Sequence, residues 1–268
     1  MSALLPTRMV SKPWGRTALP VPFSAPDGER IGEIWFEPPP ALDTLLVKYI
    51  FTSEALSVQV HPSDVQTLTA GLGRQGKEEC WLVIAAESGA RLGIGFRKPL
   101  GAEAMRAAAL DGSIEQLMVW HTVAPGDFFY IPAGTVHAIG AGVTLVEVQQ
   151  NSTITYRLYD YGRPRELHLD AGIAVAVGEP YPAHLYRHVP AEGAARLVEG
   201  PHFRLDRLDG APDAATAARY AGAPLLVIPL GGEAEIGCRS VKGGGCALAE
   251  NLDAVAFSGH CLIAQPSR

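Results

Sequence analysis

The stretch Leu56–Pro62, LSVQVHP, combines the alternation of a β-strand with polar side chains that can bind a metal. Side chains two residues apart in a strand share a face, so Gln59 and His61 point the same way. The valines beside them then face the other layer, and the final proline ends the strand because it lacks a backbone donor. On these residues alone, an edge strand with a solvated polar face is an equally good interpretation.

Two later segments add residues of the same chemical kind. Glu79 stands in GKEECW, just before the apolar run CWLVIAA, and His137 follows the turn residues of IPAGTVH. Imidazoles, a carboxylate and an amide oxygen are ligands that zinc or another borderline first-row divalent metal accepts. A β-barrel can bring such strands together at one mouth and leave a coordination position open. The joint arrangement therefore predicts a metal site formed by Gln59, His61, Glu79 and His137.

Taken singly, each candidate ligand has a structural alternative. Glu79 could be a surface carboxylate, as we expect its neighbour Glu78 to be, and His137 could be a hydrogen-bonded core histidine. The other histidines lack ligand spacing, and we interpret them as structural or surface residues: His121, His168, His184, His188, His202 and His260.

Lys48 stands at the centre of the apolar run LLVKYIF. Burying a lysine in such a strand is costly unless an anionic group lies next to it. The alternative is a lysine that extends its ammonium group to solvent from an exposed position. The position therefore predicts either an anionic partner or an anionic ligand for Lys48.

Short runs of β-branched and aromatic residues recur along the chain, and many of its 29 glycines and 21 prolines separate them. This pattern is typical of an all-β sandwich or barrel. Helix formers interrupt it at Ala102–Leu110 and Ile114–Val119, and a further helix is predicted at Ala214–Tyr220. The composition changes near Pro180, which predicts a metal-binding domain over residues 1–180 and a smaller β domain over residues 181–268.

The formal net charge of the 268-residue chain is −6, and no basic stripe is present. Nucleic acid and acidic membrane surfaces are therefore not expected as partners. No apolar run reaches membrane-spanning length, and the first residues lack the apolar stretch of a secretion signal. The four cysteines, whose spacing fits neither a zinc knuckle nor a redox pair, are expected to be reduced, buried thiols of a cytoplasmic protein.

Several motifs occur in an order that resembles one family closely. The motifs are KPWG, GEIW, LLVKYIF, LSVQVHP, GKEECW, IPAGTVHAIG and VEVQQNSTITYRLYDYGR, and the resemblance covers roughly residues 8–170. In this order they are similar to type I phosphomannose isomerases, that is, mannose-6-phosphate isomerases of the cupin superfamily, in their compact bacterial form. The remainder of the chain resembles that family's small C-terminal β domain only weakly.

The resemblance implies a cupin-type barrel or jelly roll, with minor helices, that carries the catalytic site. It implies one zinc ion per chain and the interconversion of mannose 6-phosphate and fructose 6-phosphate, with a phosphosugar as the small-molecule substrate. We expect a cytoplasmic monomer or homodimer. Large members of the family carry an inserted helical domain, which is here reduced to the segment near residues 102–119.

Residue roles follow from the resemblance position by position. Gln59, His61, Glu79 and His137 correspond to the metal ligands, and Arg157 in TYRLYD corresponds to the active-site arginine. The remaining candidates are catalytic Glu147 and Lys77, and substrate-binding Ser57, Lys48 and Glu33. Isomerisation through an enediol or enediolate needs a base, an acid and fixed positive charge, and no redox cofactor.

Two other functions compete with this one. A non-catalytic cupin that binds a sugar or a sugar phosphate in a regulatory role could keep the pocket and lose Arg157 and Glu147. A metal-dependent dioxygenase would call for histidines grouped around iron, which the separation of His61 and His137 fits less well.

Overall fold

Three antiparallel sheets form the structure, which is a computed structural model that describes residues 2–267. In chain order, the strands of the first part are β1 (Ala3–Leu4), β2 (Thr7–Arg16), β3 (Ile31–Phe36), β4 (Leu45–Phe51), β5 (Val58–Val60), β6 (Glu79–Ala86), β7 (Arg91–Phe96), β8 (Met118–Thr122), β9 (Asp127–Ile131), β10 (His137–Ile139), β11 (Val143–Gln150) and β12 (Tyr156–Tyr159). Those that follow are β13 (Tyr186–His188), β14 (Ala195–Glu199), β15 (Phe203–Asp209), β16 (Leu225–Ile236), β17 (Arg239–Lys242), β18 (Ala247–Ala249) and β19 (Val255–Pro266). The α-helices are α1 (Asp64–Thr69), α2 (Ala102–Asp111), α3 (Ile114–Leu117), α4 (Leu169–Val175) and α5 (Ala214–Tyr220).

Two sheets face each other and form the barrel. A seven-stranded sheet has the order β13-β9-β6-β11-β4-β3-β2, and a five-stranded sheet has the order β12-β5-β10-β7-β8. Trp81 and Ile50 of the larger sheet pack against Leu92, Ile94 and Ile139 of the smaller one, which closes the interior. Side chains from both inner faces thus build one core, as in other two-sheet barrels.

Helices cover the outer face of the five-stranded sheet. Val58 and Val60 of β5 lie in one apolar cluster with Met105 of α2 and Leu158 of β12. The valines of LSVQVHP therefore point outward to the helices, and the residue between them points into the barrel. The predicted helical segment near residues 102–119 is confirmed, except that its last two residues already belong to β8.

The third sheet is formed mostly by the C-terminal part of the chain, with the order β1-β18-β16-β19-β15-β14 and β17 paired to β16. This third sheet packs on the outer face of the seven-stranded sheet of the barrel, where Leu226 and Leu262 share a cluster with Val47 and Val148. Two short strands pair outside their own part of the chain: β1 pairs with β18, and β13 pairs with β9. The predicted division near residue 180 is therefore bridged by strand pairing in both directions.

Helix α5 lies where the sequence predicts it, whereas α1 and α4 were not predicted. The cysteines are all free, but only Cys80, Cys246 and Cys261 are buried, so the expectation of a buried thiol is wrong for the exposed Cys238. None of the helices in residues 2–267 has the length and apolar character needed to span a bilayer.

We expect the contact between the third sheet and the barrel to contribute strongly to stability. Leu262 is fully buried there, so Leu262→Ala should lower the free energy of unfolding by about 3 kcal/mol through lost burial and the cavity left behind. Denaturant unfolding measures this value. Leu68→Ala, the same change at a leucine that is 65% exposed, is the matched control and should cost less than about 0.5 kcal/mol. Equal effects of the two changes would contradict the assigned packing.

Candidate metal and active site

The register of the five-stranded sheet brings three candidate residues together. Strand β5 lies between β10 and β12, and Gln59 is directly opposite both His137 and Arg157. Directly opposed residues on neighbouring strands have Cβ atoms roughly 5 Å apart, so these side chains meet on one face. The Gln59 amide nitrogen lies 3.3 Å from Nε2 of His137. Residues far apart in the sequence thus become neighbours through strand pairing.

The seven-stranded sheet does the same for Glu147. Strand β11 lies between β4 and β6, so Glu147 is opposite Lys48 on one side and Trp81 on the other. Its carboxylate accepts hydrogen bonds from Lys48 Nζ at 3.0 Å and from Trp81 Nε1 at 3.1 Å. Burial raises the pKa of Glu147, but Lys48 and Lys77 outweigh burial and hold that pKa below its ordinary value. Lys48 has the anionic partner that its place in an apolar strand requires.

His61, Glu79 and His137 form a compact buried cluster. One ligand atom from each residue can be chosen so that all lie within 4.8 Å of one another, and each residue is at most 1% exposed. His137 Nε2 is 3.4 Å from Glu79 Oε1, and His61 Nε2 is 3.7 Å from Glu79 Oε2. The predicted ligands from three strand segments therefore converge on one point inside the barrel.

Both imidazoles are held in the form that binds a metal. His61 Nδ1 lies 2.8 Å from the carbonyl oxygen of Ile154, and His137 Nδ1 lies 2.9 Å from that of Thr135. A carbonyl oxygen only accepts, so each Nδ1 donates and each neutral Nε2 presents its lone pair to the cluster. Burial, aided by Lys77, lowers the pKa of His137 to about 4 and that of His61 well below its usual value. Both rings are therefore neutral near pH 7.

The carboxylate of Glu79 completes a donor set that fits a divalent metal. Its Oε1 is buried and has no hydrogen-bond partner among residues 2–267, which is costly for an oxygen that could hold a cation instead. Its other oxygen accepts a hydrogen bond from Lys77, whose Nζ also lies 3.1 Å from His61 Nε2. Two nitrogen donors and a carboxylate suit zinc, and the Gln59 amide borders the same point.

A cavity of about 390 Å³ opens beside this cluster. Lys77 and Gln59 line the cavity and also contact the cluster, so they connect the two. The other candidates that line the cavity are Glu33, Lys48, Ser57, Glu147 and Arg157. The structure thus brings all ten candidate site residues into one region, and their individual roles stay predictions.

Arg157 differs from the other cations that line the cavity. Lys12 pairs with Glu33, and Lys48 and Lys77 pair with Glu147 and Glu79. Arg157 donates from Nε to the carbonyl oxygen of Glu166 at 2.9 Å, and no carboxylate of residues 2–267 lies within 4 Å of its guanidinium. Its terminal nitrogens are the positive charge that remains available to an anionic ligand.

Several residues that line the cavity are not among the predicted site residues, namely Lys12, Trp14, Trp35, Arg165 and His168. His168, interpreted from the sequence as a structural or surface residue, lines the cavity, and its Nδ1 accepts a hydrogen bond from the backbone N–H of Arg157 at 3.2 Å. Arg165 is bound through two nitrogens to Asp160, both at 2.6 Å. A cluster of basic residues shortly after Arg157 was the available signal in the sequence.

Glu78 also departs from expectation. Its side chain is only 15% exposed, and it accepts a hydrogen bond from the hydroxyl of Tyr130. The expectation of a surface carboxylate is wrong because the third sheet covers this side of the barrel. In the extended chain, Lys77 and Glu79 face inward while Glu78 faces the opposite way.

Curated relatives share the motifs of this site. Over 172 residues the chain is 38% identical to mannose-6-phosphate isomerase ManA of Bacillus subtilis. This alignment covers 61% of the chain and 54% of ManA. Over 202 residues the chain is 36% identical to the mannose-6-phosphate isomerase of Streptococcus mutans. This second alignment covers 72% of the chain and 62% of that relative. The alignments thus span a little over half the length of these curated relatives. No family model matches the chain.

Solved structures agree over nearly the whole chain. The mannose 6-phosphate isomerase of Bacillus subtilis superposes with a TM-score of 0.77 at 21% identity and covers 98% of both chains. A zinc-bound mannose 6-phosphate isomerase superposes with a TM-score of 0.73 at 15% identity over 100% of both chains. At such identities the likeness establishes the fold, and it confirms the cupin-type architecture. The resemblance stated from the motifs is likewise confirmed by the curated relatives.

We expect His137→Ala to reduce the bound metal because it removes one of the two imidazole donors. Metal content after loading and desalting, measured by elemental analysis, should fall from near one zinc per chain to well below half. His121→Ala is the matched control: His121 is half-buried against Phe129, outside the cluster, and this variant should keep its metal. A full metal complement in the His137 variant would exclude that residue as a ligand.

Proposed function

We propose that the protein is a zinc-dependent aldose–ketose isomerase that interconverts mannose 6-phosphate and fructose 6-phosphate. The observation that carries the proposal is the buried His61–Glu79–His137 cluster beside a cavity lined by Arg157, whose guanidinium has no carboxylate of residues 2–267 within 4 Å. The names of the curated relatives supply mannose 6-phosphate as the substrate, and fructose 6-phosphate is the ketose that isomerisation of this aldose between C1 and C2 gives. A phosphosugar is a polar anion, and the cavity offers it charged and hydrogen-bonding groups more than apolar walls.

The buried cluster is the proposed metal site. His61, Glu79 and His137 would hold the ion through Nε2, carboxylate and Nε2 atoms, and Gln59, whose amide borders the same point, would be the fourth ligand. Zinc bound there supplies positive charge where negative charge develops on the substrate oxygens.

Glu147 is the proposed general base. The reaction moves a proton between C1 and C2, and the enediol intermediate accepts it back on the neighbouring carbon. The hydrogen bonds from Lys48 and Trp81 keep the carboxylate ionised and fix its direction, so it can take up a proton without first losing one. A base held in this way needs no reorganisation during the reaction.

Lys77 and Arg157 are the proposed cationic groups that face the reacting oxygens. Lys77 can donate to a substrate oxygen while it stays bound to Glu79, since an ammonium group has three donors. Arg157 lines the same cavity and offers its terminal N–H groups there. Charge that develops on the enediolate oxygens is stabilised more than the ground state, which is what accelerates the step.

The phosphate group needs its own contacts. Ser57, Lys48 and Lys77 are the proposed substrate-binding donors, with Glu33 as a hydrogen-bond acceptor for a sugar hydroxyl. Arg165 and His168 line the same cavity near Arg157 and add positive and donor character there. A few fixed cations act on an anion at this range in spite of the net charge of −6.

We also propose a cytoplasmic location and a monomeric or homodimeric state, with no nucleic-acid partner. The free cysteines support the location, and the acidic net charge supports the absence of a nucleic-acid partner. A second candidate function is a non-catalytic sugar-phosphate-binding cupin. The presence of both Glu147 and Arg157 at the cavity favours the enzyme.

A coupled assay of mannose 6-phosphate conversion tests the function directly. The zinc-loaded protein should form fructose 6-phosphate, lose activity in a strong chelator and regain it when zinc is restored, because the metal carries part of the transition-state charge. Mannose without the phosphate is the control substrate. Absence of turnover with added zinc would reject the enzyme and leave the binding protein, which equilibrium binding of mannose 6-phosphate would then detect.

Arg157→Ala should retain the bound zinc and lose most turnover, with kcat reduced on the order of 100-fold or more, as expected when a charge that stabilises the transition state is removed. Steady-state kinetics and elemental analysis measure both quantities. Arg106→Ala is the matched control, since Arg106 is exposed and pairs with Asp170 away from the cavity. Near-normal turnover of the Arg157 variant would refute the assigned role.

A further inference from the structure

A second polar cluster lies behind the active site, where the third sheet meets the barrel. We call it the carboxylate cluster, and its members are Asp64, Glu78, Gln150 and His202. Asp64 and Glu78 come from segments next to the candidate metal ligands, whereas His202 stands in the turn before β15 of the third sheet. The cluster therefore connects the C-terminal part of the chain, which contains no candidate site residue, to the preceding part, which contains all of them.

Asp64 and Gln150 fix the backbone that leads into Lys77 and Glu79. Asp64 Oδ1 accepts hydrogen bonds from the backbone N–H of Gly76 at 2.6 Å and from Nε2 of Gln150 at 2.9 Å. Gln150 in turn accepts the backbone N–H of Glu78 at 2.9 Å, and its own N–H donates to the Glu78 carbonyl oxygen at 3.0 Å. The segment 76–78 is therefore hydrogen-bonded at both ends.

Glycine is required at position 76 because the backbone of residues 62–64 passes too close to leave room for a side chain. A Cβ there would come within 3.0 Å of backbone atoms of Pro62, Ser63 and Asp64, so the two chain segments are in direct backbone contact. His61 directly precedes this contact and Lys77 directly follows it. A displacement of either segment therefore moves a candidate ligand or a candidate catalytic lysine.

His202 joins the two carboxylates of the cluster. Its Nδ1 lies 3.6 Å from Asp64 Oδ2, and its Nε2 lies 3.6 Å from Glu78 Oε1. The second oxygen of Glu78 accepts from Tyr130, so both carboxylates reach the imidazole in fixed orientations. The His202 carbonyl accepts the N–H of Ser267 at 3.0 Å, which holds the turn in place. One ring thus lies between two like charges that bracket the segment bearing Lys77.

We propose that His202 is a positioning residue of the active site: through Asp64 and Glu78 it holds the segment 76–79, and with it Lys77 and Glu79, in the geometry that binds the metal and acts on the substrate. The proposal rests on the proposed function for its kinetic part only. The third sheet then serves catalysis without touching the substrate. Groups that orient metal ligands from outside commonly change metal affinity or activity by about 10-fold or more when removed.

Three variants of the full chain test this role. His202→Ala removes both contacts, and His202→Gln keeps an amide that can donate to one carboxylate. His260→Ala is the matched control, because His260 also belongs to the third sheet and lies 3.3 Å from Asp209, outside the carboxylate cluster. The measurements are kcat and KM for mannose 6-phosphate, zinc affinity by competition with a chromophoric chelator, and Tm.

For His202→Ala we expect kcat about 10-fold lower and zinc held about 10-fold less tightly. KM should change less than about 2-fold and Tm should match that of the control, while His202→Gln should recover most of both losses. Wild-type kcat and zinc affinity in His202→Ala would overturn the proposal. Equal losses in the alanine and glutamine variants, with a lowered Tm in both, would also overturn it, because they indicate a purely structural role.

The zinc competition distinguishes this proposal from the proposed function. If the wild-type protein binds zinc but does not convert mannose 6-phosphate, the isomerase assignment fails, yet the zinc affinities of the three variants still test the positioning role. If the wild-type protein is active and His202→Ala equals it in every measurement, the positioning role alone fails.

Discussion

Two lysines and two glutamates inside the barrel can be buried only together. Lys48 pairs with Glu147 and Lys77 with Glu79, and Lys77 lies 3.8 Å from Glu147, which links the two pairs. Each of these side chains is at most 7% exposed, so the loss of any one leaves an uncompensated charge in a low-dielectric interior. The fold must therefore hold β4, β6 and β11 in one register, and that register also brings Glu79 to the imidazoles.

The two faces of each site strand have separate tasks. In β5, the valines pack against the helices while Gln59 faces the barrel interior, and at the start of β6 Glu79 faces inward while Glu78 meets the third sheet. This alternation lets an apolar shell support a charged centre without mixing the two. It also explains how a residue next to a candidate ligand can contact a different part of the molecule, and how support reaches the site from outside the barrel.

Much of this arrangement can be predicted from short-range sequence patterns. Alternation in LSVQVHP gives the shared face of Gln59 and His61, and the apolar run around Lys48 demands an anionic partner. The sequence does not identify the carboxylate that pairs with Lys48. Glu147 becomes its neighbour only through the pairing of β4 with β11, and pairing register is a long-range property. The same limit applies to Arg165 and His168, which reach the cavity after the strand that carries Arg157 has ended.

The segment after LSVQVHP also carries a local helix signal. Ser63 and Gln66 form a capping box at the start of α1, a pattern visible in the sequence directly after LSVQVHP. The neighbouring Asp64 looks like an ordinary acidic residue in the first turn of a helix, and His202 looks like an isolated histidine in a turn. Their roles depend on contacts between distant segments, which no local spacing encodes.

Strands β1 and β13 each pair with a strand from the other part of the chain, so cutting the protein near residue 180 would separate both pairs. A fragment ending near residue 180 would lack β13, and the edge of β9 would offer unpaired backbone groups to other chains. The complementary fragment would lack β1 and leave β18 as an open edge beside an uncovered apolar face. Each half would therefore tend to aggregate when made alone, because each completes a sheet of the other.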